Sequence, residues 1–184
     1  AILDVCSYLE KKGVKSSYLI PDTNGIINLN RLEKTISDQT KLVSIMHANN
    51  EIGVIQPIKK IGDLCKKHNI LFHVDAAQSF GKINIDVKKM NIDFLSISGH
   101  KIYGPKGIGA LYINKKIKIN PIMYGGSQEK SIRPGTLPVP LIVGLGTASK
   151  ISKELMETES NKIIELRNLL INKIKKEIPE MIIN

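Results

Sequence analysis

The chain has 184 residues, 42% of them hydrophobic, which excludes a disordered chain and allows one domain with a sizeable core. Its 27 basic and 17 acidic residues give a net charge of +10, which would suit an anionic partner such as nucleic acid. The lysine pairs are spread along the chain beside apolar residues, so we interpret them as solvated faces and expect no nucleic-acid partner. With no apolar run of about 18 residues and no signal-peptide pattern, we also expect no membrane association.

The first elements along the chain alternate between helix and strand. Apolar residues recur at helical spacing from Ile2 to Leu9, and SSYLIP, residues 16–21, is predicted to form a short strand. A helix over LNRLEKTI and a buried strand over KLVSIMHA follow. After the loop NNEIGVIQP, Pro57 suits the start of a helix through IKKIGDLCKKH.

Three more short segments, within ILFHVDAA, FLSIS and IGALYI, are rich in β-branched or aromatic residues and are predicted to be strands. The alternation of helices with nearly continuous apolar strands predicts an α/β fold, with a mainly parallel sheet flanked by helices. Ligands bind such sheets beyond the carboxyl ends of the strands. Polar clusters follow three of the predicted strands, as HANNE, DAAQS and SGHK.

From about Pro140 the pattern changes to one long helix that ends before Pro179. Its length suits a connector to a second subdomain. One face carries the apolar residues Leu155, Ile163, Leu166, Leu170 and Ile174.

The two cysteines, Cys6 and Cys65, fall within predicted helices and lack the spacing of a zinc site or a disulfide framework. We interpret them as packed or half-buried thiols in a reducing compartment. His73 and His100 have no third clustered ligand, so we predict no metal site and expect core or cofactor-contacting histidines.

The strand ends bring together a carboxylate, an amide and an amine, supplied by Asp75, Gln78 and Lys101. A salt-bridged polar cap is one interpretation of these residues. The other is a pyridoxal phosphate site, which needs a lysine to attach the cofactor and an acid beside its pyridine nitrogen. Gln78 would then donate a hydrogen bond to the oxygen of the ring hydroxyl.

A glycine-rich segment surrounds the lysine. Ser98, Gly99 and His100 would supply small or donor groups near the cofactor phosphate. The nearby GPKGIG lacks the GxxxxGK[ST] order and precedes a strand rather than a helix, which argues against a nucleotide phosphate loop. His47, Asn49 and Asn50 form either a plain polar loop or part of the same site.

Four segments, HANNEIGVIQPI, FHVDAAQSFGK, SISGHKIYGPKGIGALYI and RPGTLPVPLIVGLG, resemble the cysteine desulfurases of iron–sulfur cluster assembly, which are fold-type I enzymes of the class V aminotransferase group. The segments occur in the family's order and spacing. The resemblance implies pyridoxal 5'-phosphate as cofactor, L-cysteine as substrate, alanine as product and an iron–sulfur scaffold protein as sulfur acceptor. It also implies that residues 1–155 are part of the large cofactor-binding domain and that residues 156–184 begin a small C-terminal domain.

The resemblance also assigns roles to single residues. Lys101 would carry the cofactor and act catalytically, Asp75 would hold the pyridine nitrogen, and Gln78 would touch the ring oxygen. Asn50 would lie beside cofactor and substrate, while Ser98 and His100 would contact the phosphate.

Thr136 would reach the phosphate of a second subunit, so a homodimer is expected. Arg133 matches a family arginine, as a salt-bridge former or a catalytic group.

The family's N-terminal phosphate loop, its ring-stacking histidine and its nucleophilic cysteine have no counterpart here. We therefore expect a piece of a longer protein, inactive as a desulfurase by itself, from a bacterial cytoplasm or a mitochondrial matrix. Two alternatives stay open: a related enzyme such as a selenocysteine lyase or a small-substrate aminotransferase, and, distantly, a non-catalytic basic domain that binds nucleic acid.

Overall fold

The computed structural model describes residues 2–183. The helices are α1 (Ile2–Glu10), α2 (Leu29–Thr35), α3 (Ile58–Lys67) and α4 (Val139–Glu177). The strands are β1 (Leu42–Met46), β2 (Leu71–Asp75), β3 (Phe94–Ser98) and β4 (Gly109–Ile113). Short 3-10 turns span Gly99–Ile102 and Gln128–Ser131.

The four strands form one sheet in the order β1-β2-β3-β4. The first three run parallel, and β4 returns antiparallel to β3. The register places Met46 of β1 beside Asp75 of β2, and Asp75 beside Ser96 of β3. The mainly parallel α/β sheet predicted from the sequence is therefore confirmed.

The core lies between one face of the sheet and α3. Phe72 and Val74 of β2 are fully buried with Ile58 and Ile61 of α3 in one apolar cluster. Since successive residues of a strand point to opposite faces, the intervening His73 lies on the other face of the sheet together with Asp75. One strand thus supplies both the core and the polar face of the site.

The prediction of a strand over residues 16–21 is wrong, because this segment has no regular secondary structure. Tyr18 and Ile20 are 52% and 67% exposed, and the Tyr18 hydroxyl donates to Glu10 Oε1 of α1 at 3.0 Å. A strand requires a neighbour to pair with its backbone groups, and no strand of the described residues pairs with this segment.

The predicted long helix is confirmed as α4, which begins at Val139 and ends two residues before Pro179. It runs without a break through the predicted domain boundary at 155/156, and the division into two domains stays a prediction. Its apolar residues Leu155, Ile163 and Leu166 are exposed. Within residues 2–183, no helix has both the length and the apolar content needed to cross a bilayer.

Candidate active site

The three polar clusters of the sequence meet at one edge of the sheet. Because β1, β2 and β3 are parallel, the residues that follow them emerge on the same side. Backbone hydrogen bonds join these segments: His47 N donates to the Asp75 carbonyl at 2.9 Å, and Ala76 N donates to the Ser96 carbonyl at 3.0 Å. The sequence-based expectation of a shared edge is confirmed.

Lys101 lies on the 3-10 turn Gly99–Ile102, called the lysine turn below, which directly follows β3. The turn is closed by two backbone hydrogen bonds of 3.0 Å, from Gly99 N to the Ile108 carbonyl and from Gly104 N to the Gly99 carbonyl. A Cβ at position 99 would lie 2.8 Å from Ile108 Cγ2, so only glycine fits there. Lys101 is half-buried, and its amine forms neither an ion pair nor a hydrogen bond with any described residue.

Asp75 ends β2 and is half-buried. Its Oδ1 accepts a hydrogen bond from Ala77 N at 2.9 Å, which orients the carboxylate and leaves Oδ2 without a donor among the described residues. No ion pair within residues 2–183 joins Asp75 to Lys101, so the salt-bridged cap is absent. Gln78 is half-buried in the turn that follows.

Two polar side chains lie close to Lys101, one just before the lysine turn and one within it. Ser98 Oγ and His100 Nδ1 are 3.1 Å apart and form a hydrogen bond across the buried Gly99. This pair presents a hydroxyl and an imidazole next to Lys101, which is the donor set expected for an anionic group.

The remaining predicted site residues lie in exposed loops. Asn50 is exposed in the turn after β1. Thr136 is exposed in the segment that precedes α4 and forms no side-chain hydrogen bond with the described residues, so its predicted role across a subunit interface stays a prediction. Arg133 Nη1 donates to the neighbouring Pro134 carbonyl at 3.0 Å.

His47 is the residue whose interpretation the structure changes most. It is 4% exposed, and its Nδ1 has no hydrogen-bond partner within the described chain. Burial lowers the pKa of His47, which keeps the imidazole neutral at physiological pH. The Ser79 hydroxyl, at the end of DAAQS, is also buried and has no hydrogen-bond partner among the residues that the structure describes. Sequence reasoning did not select Ser79, although its position after the strand-end carboxylate was the available signal.

His73 links three strands on the polar face of the sheet. Its Nδ1 lies 2.7 Å from Ser44 Oγ on β1, and its Nε2 lies 2.8 Å from Ser96 Oγ on β3. Burial lowers the pKa of His73, and the nearby Asp75 carboxylate acts in the opposite direction.

Across residues 2–183, no group of three or more His, Cys, Asp or Glu side chains is arranged to hold a metal.

Comparison with known proteins decides the family. The model of the aminotransferase class-V family matches residues 1–183. The chain belongs to this family. It is 57% identical, over its whole length, to the cysteine desulfurase IscS of Ehrlichia chaffeensis, and 52% identical to that of Rickettsia felis. The chain spans 45% of the length of each of these class V relatives.

Solved structures of class V relatives have the same fold. A NifS-like protein superposes with a TM-score of 0.92 at 41% identity, covering 95% of this chain and 48% of that protein. A structure described as SspA in complex with cysteine gives a TM-score of 0.80 at 48% identity, covering 89% of this chain and 49% of that one. The fold-type I architecture predicted from the sequence is confirmed.

Membership of the class V family implies pyridoxal phosphate as the cofactor in general, and the residues present fit it. The amine of Lys101 has no ion-pair partner in the described chain, and Asp75 has an oxygen that accepts no hydrogen bond there. Ser98 and His100 supply donors beside the lysine. These are the groups needed to attach the cofactor's aldehyde carbon, to hold its ring nitrogen and to bind its phosphate.

Proposed function

We propose that the protein is a pyridoxal-phosphate-dependent cysteine desulfurase, which converts L-cysteine to L-alanine and passes the sulfur on as a persulfide. The observation that carries this proposal is the amine of Lys101, which has no ion-pair partner among residues 2–183 and lies at the same sheet edge as the Asp75 carboxylate. The likeness to proteins named cysteine desulfurase supports the choice of substrate within the class V family.

In this proposal Lys101 attaches the cofactor and later moves the proton at the substrate Cα. The cofactor, when bound, supplies an electron sink for the charge left on that carbon. Asp75 keeps the ring nitrogen protonated, and the hydrogen bond from Ala77 N fixes the orientation of the carboxylate for this task. Gln78 donates to the ring oxygen, and Asn50 lies beside the substrate.

The persulfide requires a reactive thiolate, and Cys65 is unsuited to supply it. It is 1% exposed in α3, and burial raises the pKa of its thiol to about 11, with Asp93 acting in the same direction. The sulfur-carrying cysteine of the proposed reaction is therefore a different residue. Neither Cys6 nor Cys65 aligns with the family's nucleophilic cysteine, so we expect the chain by itself to form no alanine from cysteine.

The proposed partners follow from the same assignment. A homodimer would let the exposed Thr136 of one subunit reach the cofactor phosphate of the other. The proposed sulfur acceptor is a scaffold protein on which iron–sulfur clusters are assembled.

The test is attachment of the cofactor at a single lysine. Pyridoxal phosphate is added, the visible absorption band is recorded, and borohydride reduction followed by peptide mass mapping locates the adduct. We expect the adduct on Lys101, its loss in Lys101→Ala, and its retention in Lys106→Ala, which removes an exposed lysine from the same loop. An adduct on other lysines alone, or an unchanged band in Lys101→Ala, would overturn the proposal.

A further inference from the structure

One face of α4 packs against the lysine turn. Gly144, Ala148 and Ser152 follow each other at four-residue spacing, which places them on the same side of the helix. A Cβ at Gly144 would lie 2.5 Å from Pro105 Cγ, and a Cβ at Gly104 would lie 3.3 Å from Ala148 Cβ. The absence of larger side chains at these positions allows the helix to approach the loop this closely.

A third contact involves the residue directly after Lys101. Ile102, the residue after Lys101, is 2% exposed. A Cβ at Gly81, in the turn after β2, would lie 2.8 Å from Ile102 Cγ2 and 2.9 Å from Ser152 Cβ. The backbone at Gly81, the side chain of Ile102 and the helix residue Ser152 therefore meet at one point.

The loop residues that make these contacts lie close to Lys101 along the chain. Gly104 N donates to the Gly99 carbonyl, which closes the turn around Lys101, and Pro105 follows directly. A Cβ added at 2.5 Å from Pro105 Cγ cannot be accommodated without a shift of the atoms it meets, and a displacement of Pro105 or Ile102 moves the backbone that carries Lys101.

We propose that Gly144, Ala148 and Ser152 are positioning residues that set the placement of Lys101 for attachment of the cofactor. They touch the lysine turn and its flanks, and they act through that backbone rather than on the reacting atoms. The inference rests on the proposed function, since it assigns these residues to the same site.

The test compares two glycines of the same helix. Gly144→Ala places a Cβ against Pro105, whereas Gly146→Ala enters open space with no atom within 4 Å. Both changes raise helix propensity equally. With pyridoxal phosphate as the probe, we expect Gly144→Ala to slow adduct formation on Lys101 by about tenfold or more, since small misplacements of reacting groups carry rate losses of this order. Gly146→Ala should match the unaltered protein.

A second substitution makes the test specific to geometry. The atoms nearest the added Cβ are Pro105 Cγ and Cδ, at 2.5 and 3.0 Å, while Pro105 Cβ lies 4.0 Å away. Pro105→Ala removes only the two near atoms, so the double variant Gly144→Ala with Pro105→Ala should regain the rate. The pH dependence of the visible band, which a displaced Lys101 would alter, should also return to that of the unaltered protein in the double variant. A general loss of stability would not produce this change and recovery.

Hydrogen exchange separates this inference from the proposed function. Faster amide exchange over residues 99–105 in Gly144→Ala, but not in Gly146→Ala, supports the packing contact even if no adduct forms on Lys101 in any variant. Should Gly144→Ala unfold, Ala148→Val applies a smaller displacement at the adjacent contact and takes its place. Unchanged adduct formation together with unchanged exchange, in whichever of the two variants folds, would overturn the inference.

Discussion

Ser44 and His73 lie side by side on neighbouring parallel strands, with the serine Oγ 2.7 Å from the imidazole Nδ1. The other ring nitrogen reaches Ser96 Oγ on the third strand at 2.8 Å. A neutral imidazole donates one hydrogen bond and accepts one, so the two hydroxyls satisfy it completely. His73 thus ties together the three strands whose carboxyl ends form the candidate site.

Stability should fall as the pH drops below about 6.5. Burial lowers the pKa values of His47 and His73 below the ordinary 6.5, so the unfolded chain takes up protons first. The stability that the two neutral imidazoles contribute is fully present above pH 6.5 and is lost as the pH falls through their folded-state pKa values. Urea unfolding between about pH 5 and 7.5 measures the slope. A double variant His47→Gln with His73→Gln that keeps the full slope would contradict this assignment.

The two serines that contact His73 should differ in their contribution to stability. The hydrogen bond to Ser96 is partly buried, whereas the hydrogen bond to Ser44 is exposed and water can replace the hydroxyl. We expect Ser96→Ala to lower the free energy of unfolding by about 1 to 2 kcal/mol and Ser44→Ala by about 0.5 kcal/mol. Denaturant unfolding measures both; equal losses would show that the two sides are equally hydrated.

Gly62 in α3 should tolerate no side chain. A Cβ there would overlap the Met90 carbonyl oxygen and lie 3.3 Å from Phe72 Cδ1 in the core. Although alanine favours helices by about 1 kcal/mol over glycine, we expect Gly62→Ala to destabilise the fold by about 3 kcal/mol net. Thermal unfolding compared with Gly146→Ala, another helical glycine but one in open space, isolates the packing cost. A melting temperature for Gly62→Ala at or above that of Gly146→Ala would refute it.

The two thiols should react at very different rates. Cys65 is buried with a pKa near 11, whereas Cys6 in α1 is half-buried. A disulfide reagent at neutral pH should therefore label one thiol per folded chain and both after denaturation. Cys6→Ser should abolish the rapid phase, and Cys65→Ser should leave it unchanged. Rapid labelling of Cys65 in the folded protein would show that α3 opens readily.

Asp75→Asn should weaken cofactor binding while leaving the fold intact. The amide oxygen can still accept the hydrogen bond from Ala77 N, but the negative charge beside the ring nitrogen is lost. Because hydrogen bonds to charged groups are stronger by about 1 to 2 kcal/mol, we expect the dissociation constant of pyridoxal phosphate to rise by roughly tenfold. Spectroscopic titration measures it, with Asp86→Asn as the distant control. Equal affinities of the two variants would remove Asp75 from the site.

The sheet and the positions of Asp75 and Lys101 could be predicted from the sequence because they depend on local patterns. Buried parallel strands appear as short apolar runs, and polar residues directly after such runs must emerge at one edge. The same reasoning failed for residues 16–21, where β-propensity alone predicted a strand. Whether such a segment pairs depends on a neighbouring strand, which no local pattern reveals.

Only the tertiary structure decided which segments far apart in the chain contact each other. The sequence left His47 either in a plain polar loop or in the site. Its burial, with an Nδ1 that has no partner among the described residues, results from the packing around the end of β1. The sequence likewise predicted a long helix containing Gly144, without indicating that this glycine lies against Pro105 beside the lysine turn. Periodicity determines which face of an element is apolar or small, whereas the partner of that face is determined by how the whole chain packs.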